Sequence, residues 1–269
     1  MVIMKKEWTR ESRNAAMITE AVGTFCIVFF GGWAYLQNEM SAKQFNWTAV
    51  GVTQGLFTMF AVWGGQAISG GHFNWGVTLT LAGLRKIPPS VAAWYLLAQT
   101  LGSFLGAVMV DALTPETMDN ATYTKMGVPR LNTDKYTETV GFFCEFIGSA
   151  IYMFMVMAFN FDHRMPKNLY GIAAGGASIA AIVTTGPISG GSINPVRIIG
   201  PILVSFMTNN KNIFNDLHTY WFYFLGPLFG ALLMGFYYEY FIMVEEEPIN
   251  DRDSVASYEA NDDLGKLKI

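Results

Sequence analysis

Charged side chains are scarce in this sequence. Asp, Glu, Lys and Arg make up 14% of its 269 residues, whereas they make up about a quarter of a typical soluble domain. The net charge is −4, so there is no excess of basic residues with which to bind the phosphates of a nucleic acid. A composition that is 52% hydrophobic and rich in glycine instead indicates a membrane protein.

Cysteine and histidine are also rare, with two and three copies. Cys26 and Cys144 each lie inside an apolar run, which is typical of small buried residues and not of a disulfide framework. His72, His163 and His218 are far apart, and no Ser/His/Asp spacing or phosphate-binding glycine loop accompanies them. The sequence therefore predicts no enzyme activity, no metal site and no cofactor.

Long apolar stretches are present instead. A transmembrane helix needs roughly 20 consecutive, mostly apolar residues. Six stretches meet this requirement, at about 15–36, 48–67, 90–112, 137–159, 169–187 and 219–244. We therefore predict an all-α membrane protein that crosses the bilayer six times.

The basic residues predict how these helices are oriented. Lysine and arginine are concentrated in cytoplasmic loops, and all three basic clusters of this chain fall on the cytoplasmic side if both termini are inside. The clusters precede the first stretch, follow the second and separate the fourth from the fifth: Lys5, Lys6, Arg10, Arg13, Arg85, Lys86, Arg164 and Lys167. Both termini are thus predicted to be cytoplasmic, with a flank at 1–14 and an acidic, disordered tail at 245–269.

The membrane domain, residues 15–244, consists of two similar halves at about 15–112 and 137–244. "TEAVGTF" in the first half matches "CEFIGSA" in the second, and "QTLGSFLGA" matches "FLGPLFGA". Because each half crosses the membrane three times, an odd number, the two halves have opposite orientations in the membrane. Inverted repeats place a shared site near the midplane, where broken helices meet.

Each half also contains the phrase Ser-Gly-Gly-x-x-Asn, which ends at Asn74 or Asn194 and precedes a short apolar run. The run 75–84 would form a helix of about 15 Å, half the hydrocarbon thickness. Asn is a favoured N-cap residue and Pro195 suits the first helical position. We predict two re-entrant half-helices whose N-termini, the positive ends of their dipoles, meet at the membrane centre.

The two Asn side chains would then lie together at this point. Each can turn its carbonyl oxygen toward the amides of its own helix and leave amide hydrogens facing the lumen. Two such donors between two positive helix ends suit a neutral hydrogen-bond acceptor. They repel cations and disfavour a chain of protonated water.

Taken together, "SGGHFN", "GGSINPVR", the Glu-x-x-Gly of each half and six spans in inverted halves resemble the aquaporin, or major intrinsic protein, family. The resemblance covers residues 14–244. It implies a passive channel for water, with small neutral solutes as further partners, in the lipid bilayer. It also implies a homotetramer with one pore in each subunit.

This chain departs from the family signature Asn-Pro-Ala at the pore centre. The first Asn is followed by Trp75 and Gly76, and the second by Pro195 and Val196. Members of the family pack two prolines against each other at this point. We therefore expect Trp75 to pack against Pro195 in a different way, with Gly76 making room for the indole.

The resemblance assigns a narrower filter to Gln54, Ile182, Gly191 and Arg197. Arg197 would donate hydrogen bonds to the permeant and repel cations. Water-specific members carry Phe and His at the first two positions, so this chain predicts a wider opening that also passes ammonia, urea or glycerol. Ile198 favours water, because glycerol-conducting members usually carry Asp there.

Three further polar residues of the predicted membrane domain have candidate roles. Glu20 and Glu145 are predicted to accept hydrogen bonds from the unwound backbone of the re-entrant loops, where water is absent. His72 is a candidate for the inner vestibule, where it would respond to pH. The alternative for His72 is a structural contact that holds its loop.

A water channel is the function that the sequence favours, and a channel mainly for glycerol, urea or ammonia is the alternative. Inverted repeats with broken helices also occur in secondary transporters, but the predicted centre offers amides and an arginine and no cation-coordinating group. A third class, mediators of membrane contact, would carry no flux. The plasma membrane and an intracellular vacuolar membrane both fit the sequence.

Mercurial reagents should inhibit this channel weakly. Some members of the family carry a reactive thiol at the filter position that Gly191 occupies, and the two cysteines of this chain lie elsewhere, in apolar runs. Water flux into proteoliposomes, measured before and after mercuric chloride, would check this. Strong inhibition would contradict the assignment of Gly191 to the filter.

Overall fold

The computed structural model describes residues 9–41, 46–114, 127–208 and 217–243. Within these ranges the chain is helical, with no β-strand. The acidic tail predicted at 245–269 lies outside the described residues, as does most of the N-terminal flank. The described residues form eight α-helices: α1 (Arg10–Met40), α2 (Asn46–Gly65), α3 (Trp75–Gly83), α4 (Pro89–Leu113), α5 (Glu138–Val156), α6 (Tyr170–Ser189), α7 (Val196–Thr208) and α8 (Trp221–Tyr237).

Six of these helices match the six predicted spans to within a few residues. Five of them, α1, α4, α5, α6 and α8, are long and apolar enough to cross a membrane. The α5 and α8 helices each continue into a single wider turn, at Met157–Phe161 and Tyr238–Ile242. The sixth, α2, has the length to cross with 20 residues, although its glycines, threonines and Gln54 lower its mean hydropathy.

The two remaining helices are short. The α3 helix has 9 residues, which span about 14 Å at 1.5 Å per residue, and α7 has 13. Each packs against a helix of the opposite half, α3 against α8 and α7 against α4. The fold is therefore an all-α membrane fold with two half-helices in an inverted repeat, as predicted.

The positions of α4 and α8 that correspond in the two halves differ by one helical turn from those that the sequence match suggested. A Cβ atom at Gly102 would lie 2.1 Å from the carbonyl oxygen of Ala21, and one at Gly230 would lie 2.1 Å from that of Phe146. Gly102 and Gly230 are therefore equivalent, whereas matching "FLGA" to "LFGA" equated Gly106 with Gly230. Small residues recur every four positions in α4, so a shift of one turn preserves the sequence match.

The predicted basic clusters around α3–α4 and α5–α6 lie at one end of the molecule. Lys86 forms an ion pair with Glu239 at the end of α8, with the two atoms 2.7 Å apart. Asp162 accepts hydrogen bonds from Arg164 and from the hydroxyl of Tyr238, and the Arg164 guanidinium holds the pKa of that carboxyl well below its usual range. This arrangement meets the requirement that both clusters face the same side of the membrane.

Glycines let α2 and α6 pack closely. A Cβ atom at Gly175 would lie 2.5 Å from the Cβ of Met59 and 2.7 Å from the carbonyl oxygen of Gly55. Gly176, the next residue, has open space where its Cβ would be. The glycine-rich run of α6 thus serves as a packing surface on one side only, as small residues do at membrane helix interfaces.

Replacing Gly175 with alanine should destabilise the protein, because the added methyl group must push α2 and α6 apart. The expected loss is about 1–3 kcal/mol, the usual cost of overpacking. Gly176→Ala is the matched control and should be neutral or stabilising by up to about 1 kcal/mol, since alanine favours helix. Thermal unfolding of both variants in detergent measures the difference; equal midpoints would contradict the close packing of Gly175.

Candidate functional site

The two re-entrant loops that precede α3 and α7 have the same backbone conformation. In each loop two successive glycines and one later residue have positive φ angles. The pairs are Gly70 (92°) and Gly190 (83°), Gly71 (65°) and Gly191 (61°), and Phe73 (47°) and Ile193 (48°). Glycine adopts this region freely, which explains the repeated Ser-Gly-Gly phrase.

Phe73 and Ile193 are strained, because residues with bulky side chains rarely adopt positive φ. Their side chains fill space left by glycines. A Cβ atom at Gly23 would lie 2.3 Å from the Phe73 ring, and one at Gly148 would lie 2.8 Å from the Ile193 side chain. The glycine of each Glu-x-x-Gly motif therefore accommodates the strained residue of the loop.

The glutamate of the first motif binds the first loop. Glu20, which is fully buried, accepts hydrogen bonds from the Ser69 hydroxyl at 2.6 Å and from the backbone N–H groups of His72 and Phe73 at 3.0 and 2.8 Å. Gln99 donates a fourth at 2.7 Å. The carboxylate thus satisfies backbone groups that no water reaches.

Glu145 repeats these contacts in the second loop. It accepts from the Ser189 hydroxyl at 2.7 Å and from the backbone N–H groups of Ser192 and Ile193 at 3.0 and 2.6 Å. No glutamine of α8 takes part, because Pro227 stands at the position equivalent to Gln99. Both glutamates therefore have the structural contacts that the sequence predicted for them.

Sequence analysis missed two tyrosines that complete this scaffold. Tyr95 donates to the carbonyl oxygen of Ser69 at 2.8 Å, and Tyr223 donates to that of Ser189. The sequence held a clue to these two hydrogen bonds, because both acceptor serines begin the repeated Ser-Gly-Gly-x-x-Asn phrase. The tyrosines were not paired because the assumed register of α4 and α8 was one turn out.

Asn74 and Asn194 cap the two half-helices. The Asn74 side-chain oxygen accepts from the backbone N–H of Gly76 at 2.8 Å, and that of Asn194 accepts from Val196 at 3.2 Å. Both carbonyl oxygens are thus turned toward their own helices, as the sequence led us to expect.

The amide nitrogens of the same residues cross to the opposite loop. Asn74 Nδ2 donates to the carbonyl oxygen of Ile193 at 3.1 Å, and Asn194 Nδ2 donates to that of Phe73 at 2.8 Å. These reciprocal bonds bring the two half-helix N-termini together. They use one hydrogen of each amide, so one donor per Asn is left, not the two that the sequence alone suggested.

A cavity of about 20 Å³ adjoins this junction, a volume on the scale of one water molecule. It receives both Asn side chains and polar groups from α2, α6 and the second loop. Its lining consists of Ile27, Gln54, Thr58, Phe73, Asn74, Tyr152, Ser178, Ser192, Ile193 and Asn194. The centre of the molecule is therefore a small cavity beside two helix N-termini, with polar groups on an otherwise apolar lining.

Arg197 lies in the first turn of α7 and is 2% exposed. Its three guanidinium nitrogens have no hydrogen-bond partner among the described residues, and Tyr35, Glu145 and Tyr223 lie within electrostatic reach. A buried guanidinium without partners is costly. Its donors are consequently available to a molecule that enters the site.

The side chain of Ser103 shapes the start of α7. Its hydroxyl donates to the carbonyl oxygen of Val196 at 2.5 Å and accepts from the N–H of Gly200 at 3.0 Å. These are the two groups that a regular helical turn would bond to each other. Arg197 lies inside this bridged turn, so α4 contributes to its position.

The other three predicted filter residues are buried nearby. Gln54 is 2% exposed and packs on Gly31, where a Cβ would lie 2.5 Å from its Oε1. Ile182 is 1% exposed, and a Cβ at Gly191 would lie 3.0 Å from the Ile182 Cα. Both side chains are therefore almost fully enclosed by neighbouring residues.

Comparison with known proteins supports the assignment of the family. The profile of the family described as "MIP: Major intrinsic protein" matches residues 7–238. The chain belongs to this family. The probable aquaporin NIP4-2 of Arabidopsis thaliana is 32% identical over 242 residues, 90% of this chain and 79% of that protein.

Aquaporin AqpM of Methanothermobacter marburgensis is 31% identical over 245 residues, 83% of this chain and 95% of that protein. An X-ray structure of the aquaglyceroporin from Plasmodium falciparum has the same fold, with a TM-score of 0.74. The matched region covers 86% of this chain and 97% of the aquaglyceroporin chain, with 22% sequence identity. The protein is thus an integral, multi-pass membrane channel of the major intrinsic protein family.

The residues after each Asn depart from the family signature. A Cβ at Gly76 would lie 3.2 Å from the Cβ of Ala231 and 3.4 Å from the carbonyl oxygen of Pro227. Gly76 therefore lets α3 approach α8. The Trp75 indole N–H is buried without a partner in the described part of the chain, and Pro195 precedes α7.

His72 is 2% exposed. Its Nδ1 shares a hydrogen bond with the Thr78 hydroxyl at 3.1 Å, and its ring lies edge-on to Tyr95 with centroids 5.1 Å apart. These contacts tie the first loop to α3 and α4. They fit the alternative in which the histidine holds its loop.

Replacing Glu145 with glutamine should destabilise the channel more than replacing Glu20. Either change removes one acceptor, at a cost of about 1–3 kcal/mol. In Glu20→Gln, Gln99 can rotate and offer its own oxygen, which has no partner in the described structure, to the new amide. Glu145 has no such neighbour.

Thermal unfolding and water flux of both variants would measure this asymmetry, with Glu11→Gln in the exposed first turn of α1 as control. Equal losses for the two variants would argue against compensation by Gln99. A further Gln99→Ala change in the Glu20→Gln protein should remove the difference.

Proposed function

We propose that this protein is a passive channel for water that also admits small neutral solutes and excludes ions and protons. The reciprocal hydrogen bonds of Asn74 and Asn194 carry this proposal. They join two half-helix N-termini beside a small cavity that both Asn side chains line, within a family of membrane channels. The remaining hydrogen of each amide is a donor for the oxygen of a passing molecule.

The electrostatics of this centre favour neutral permeants. Both α3 and α7 direct the positive ends of their dipoles toward the cavity, and none of its lining residues carries a negative charge. A cation would lose its hydration and meet only donors. A water molecule that accepts from both amides cannot pass a proton along the chain of waters.

The filter assignment completes the proposal. Gln54, Ile182, Gly191 and Arg197 form the selective level, with Arg197 as the fixed cation whose free donors bind the permeant. Its positive charge adds to the exclusion of cations. The permeant replaces water at these donors and so moves through this level without a large barrier.

A channel mainly for glycerol, urea or ammonia is the second candidate. It is favoured by the absence of an aromatic side chain at Gln54, Ile182 and Gly191, and by the fold shared with a protein titled an aquaglyceroporin. The low exposure of Gln54 and Ile182 and the presence of Ile198 favour water instead.

We also propose a homotetramer with one pore per subunit and with both termini in the cytoplasm. The first rests on the family. The second rests on the position of the basic residues near Lys86 and Arg164, which lie at the end of the molecule where α8 ends.

Stopped-flow light scattering of proteoliposomes tests the function. Shrinkage in sucrose measures water flux, and reswelling in glycerol, urea or ammonium salts measures solute flux. We expect water flux well above that of protein-free vesicles, linear in the gradient and with low activation energy. Saturable flux driven by an ion gradient would indicate a transporter, and adhesion of vesicles without flux would indicate a contact protein.

The double substitution Gln54→Phe and Ile182→His should suppress glycerol and urea uptake while leaving water flux within about twofold. Phe is bulkier than Gln, and the two rings are those that water-specific members of the family carry at these positions. The control is Leu56→Phe, a lipid-facing position on the same helix that is 37% exposed. Unchanged solute uptake in the double variant would remove both residues from the filter.

A further inference from the structure

The central cavity lies where the two halves of the molecule meet, because its lining comes from equivalent positions in both. Asn74 and Asn194 form one such pair of lining residues. Thr58 of α2 and Ser178 of α6 form another, since they line the same cavity and precede the two Ser-Gly-Gly phrases by the same number of residues. The cavity thus has an Asn pair and a hydroxyl pair.

The packing of α2 against α6 confirms that Thr58 and Ser178 are equivalent. A Cβ atom at Gly55 would lie 2.8 Å from the carbonyl oxygen of Gly175, and one at Gly175 would lie 2.7 Å from that of Gly55. This contact is reciprocal, so the same point of each helix lies at the crossing. Thr58 and Ser178 each follow the crossing glycine by three residues, which places them on neighbouring positions of the helix surface.

The two hydroxyl groups can accept hydrogen bonds from a molecule in the cavity. The Thr58 hydroxyl donates its only hydrogen to the backbone oxygen of Gln54 at 2.9 Å, so its oxygen is left as an acceptor. The Ser178 hydroxyl makes no hydrogen bond within the described residues and can rotate to accept. Both residues are buried, at 4% and 2% exposure, so bulk water does not occupy these groups.

The Asn pair supplies the complementary donors. Asn74 and Asn194 each use one amide hydrogen for the opposite loop and keep one. Two donors and two acceptors therefore line a space of about 20 Å³, the scale of one water molecule. A water molecule has this same capacity, because its oxygen accepts two hydrogen bonds and its two hydrogens donate two.

We propose that Thr58 and Ser178 are specificity-determining residues, which accept the hydrogens of the permeant at the channel centre. The inference rests on the proposed function, because it assigns further residues to that pore. It also defines the class of permeant: molecules of about the size of water that donate hydrogen bonds. Ammonia belongs to this class and depends on the acceptors more than water does, since it carries three hydrogens and a single lone pair.

The acceptor pair also affects how a permeant crosses the centre. Much of the remaining lining is apolar, with Ile27, Phe73 and Ile193, and a polar molecule that enters such a space unpaired loses hydrogen bonds at a high cost. Bonds to Thr58 and Ser178 replace those that the permeant gives up. A water molecule with all four bonds to the protein is also separated from its neighbours, which agrees with the exclusion of protons.

Removal of both hydroxyl groups tests the proposal in the full-length chain. Thr58→Val with Ser178→Ala should lower the ratio of ammonia flux to water flux about fivefold, the effect of one hydrogen bond between neutral groups. Thr58→Ser with Ser178→Thr keeps both hydroxyl groups and should keep the parental ratio. Thr184→Val is the matched control, since Thr184 is exposed on α6 and its hydroxyl donates to the carbonyl oxygen of Ala180 at 2.8 Å.

Proteoliposomes with equal amounts of reconstituted protein provide both fluxes. An internal pH-sensitive dye reports ammonia entry from ammonium chloride, light scattering in sucrose reports water, and the rates of protein-free vesicles are subtracted. A ratio for the double removal equal to that of Thr184→Val would overturn the inference and leave the proposed function in place. An equal fall in the variant that keeps both hydroxyl groups would also overturn it, because side-chain shape would then decide.

Two further outcomes are defined in advance. If the double variant does not reconstitute, the ratio for Ser178→Ala decides alone, with the same expected fall and the same control. Absence of water flux in the parent protein would overturn the proposed function and this inference with it.

Discussion

The structure depends on hydrogen bonds from buried loop backbone to two glutamate side chains. The loops before α3 and α7 are irregular and lie within the membrane domain, where an unpaired backbone N–H costs several kcal/mol. Glu20 and Glu145 each accept from two consecutive N–H groups and a serine hydroxyl. Without these acceptors the loops could not remain unwound at this depth.

The same bonds hold the backbone that forms the centre of the channel. Phe73 and Ile193 donate their N–H groups to the glutamates, and at positive φ their carbonyl oxygens accept from the Asn of the opposite loop. The strain at these two residues is therefore tied to function. It places the carbonyl groups that bring Asn74 and Asn194 together.

The two halves are not equivalent in detail, and the differences fall beside the pore. Gln99 bridges Glu20 and Thr78 in the first half, whereas the second half has Pro227 and Ile198 at the corresponding positions. Ser103 bridges a turn of α7, and its equivalent, Ala231, contacts α3 through Gly76. The second half-helix thus differs from the first in the turn that carries Arg197.

The sequence by itself determined the spans, the half-helices and the Asn pair, because hydropathy, capping residues and a repeated phrase are local properties. Only the tertiary structure decided the register of α4 against α8 and the neighbour that Gly76 approaches. Glycines spaced one turn apart fit either register, and an apolar side chain looks the same in sequence whether it meets lipid, another helix or the pore. Contacts between helices distinguish these cases.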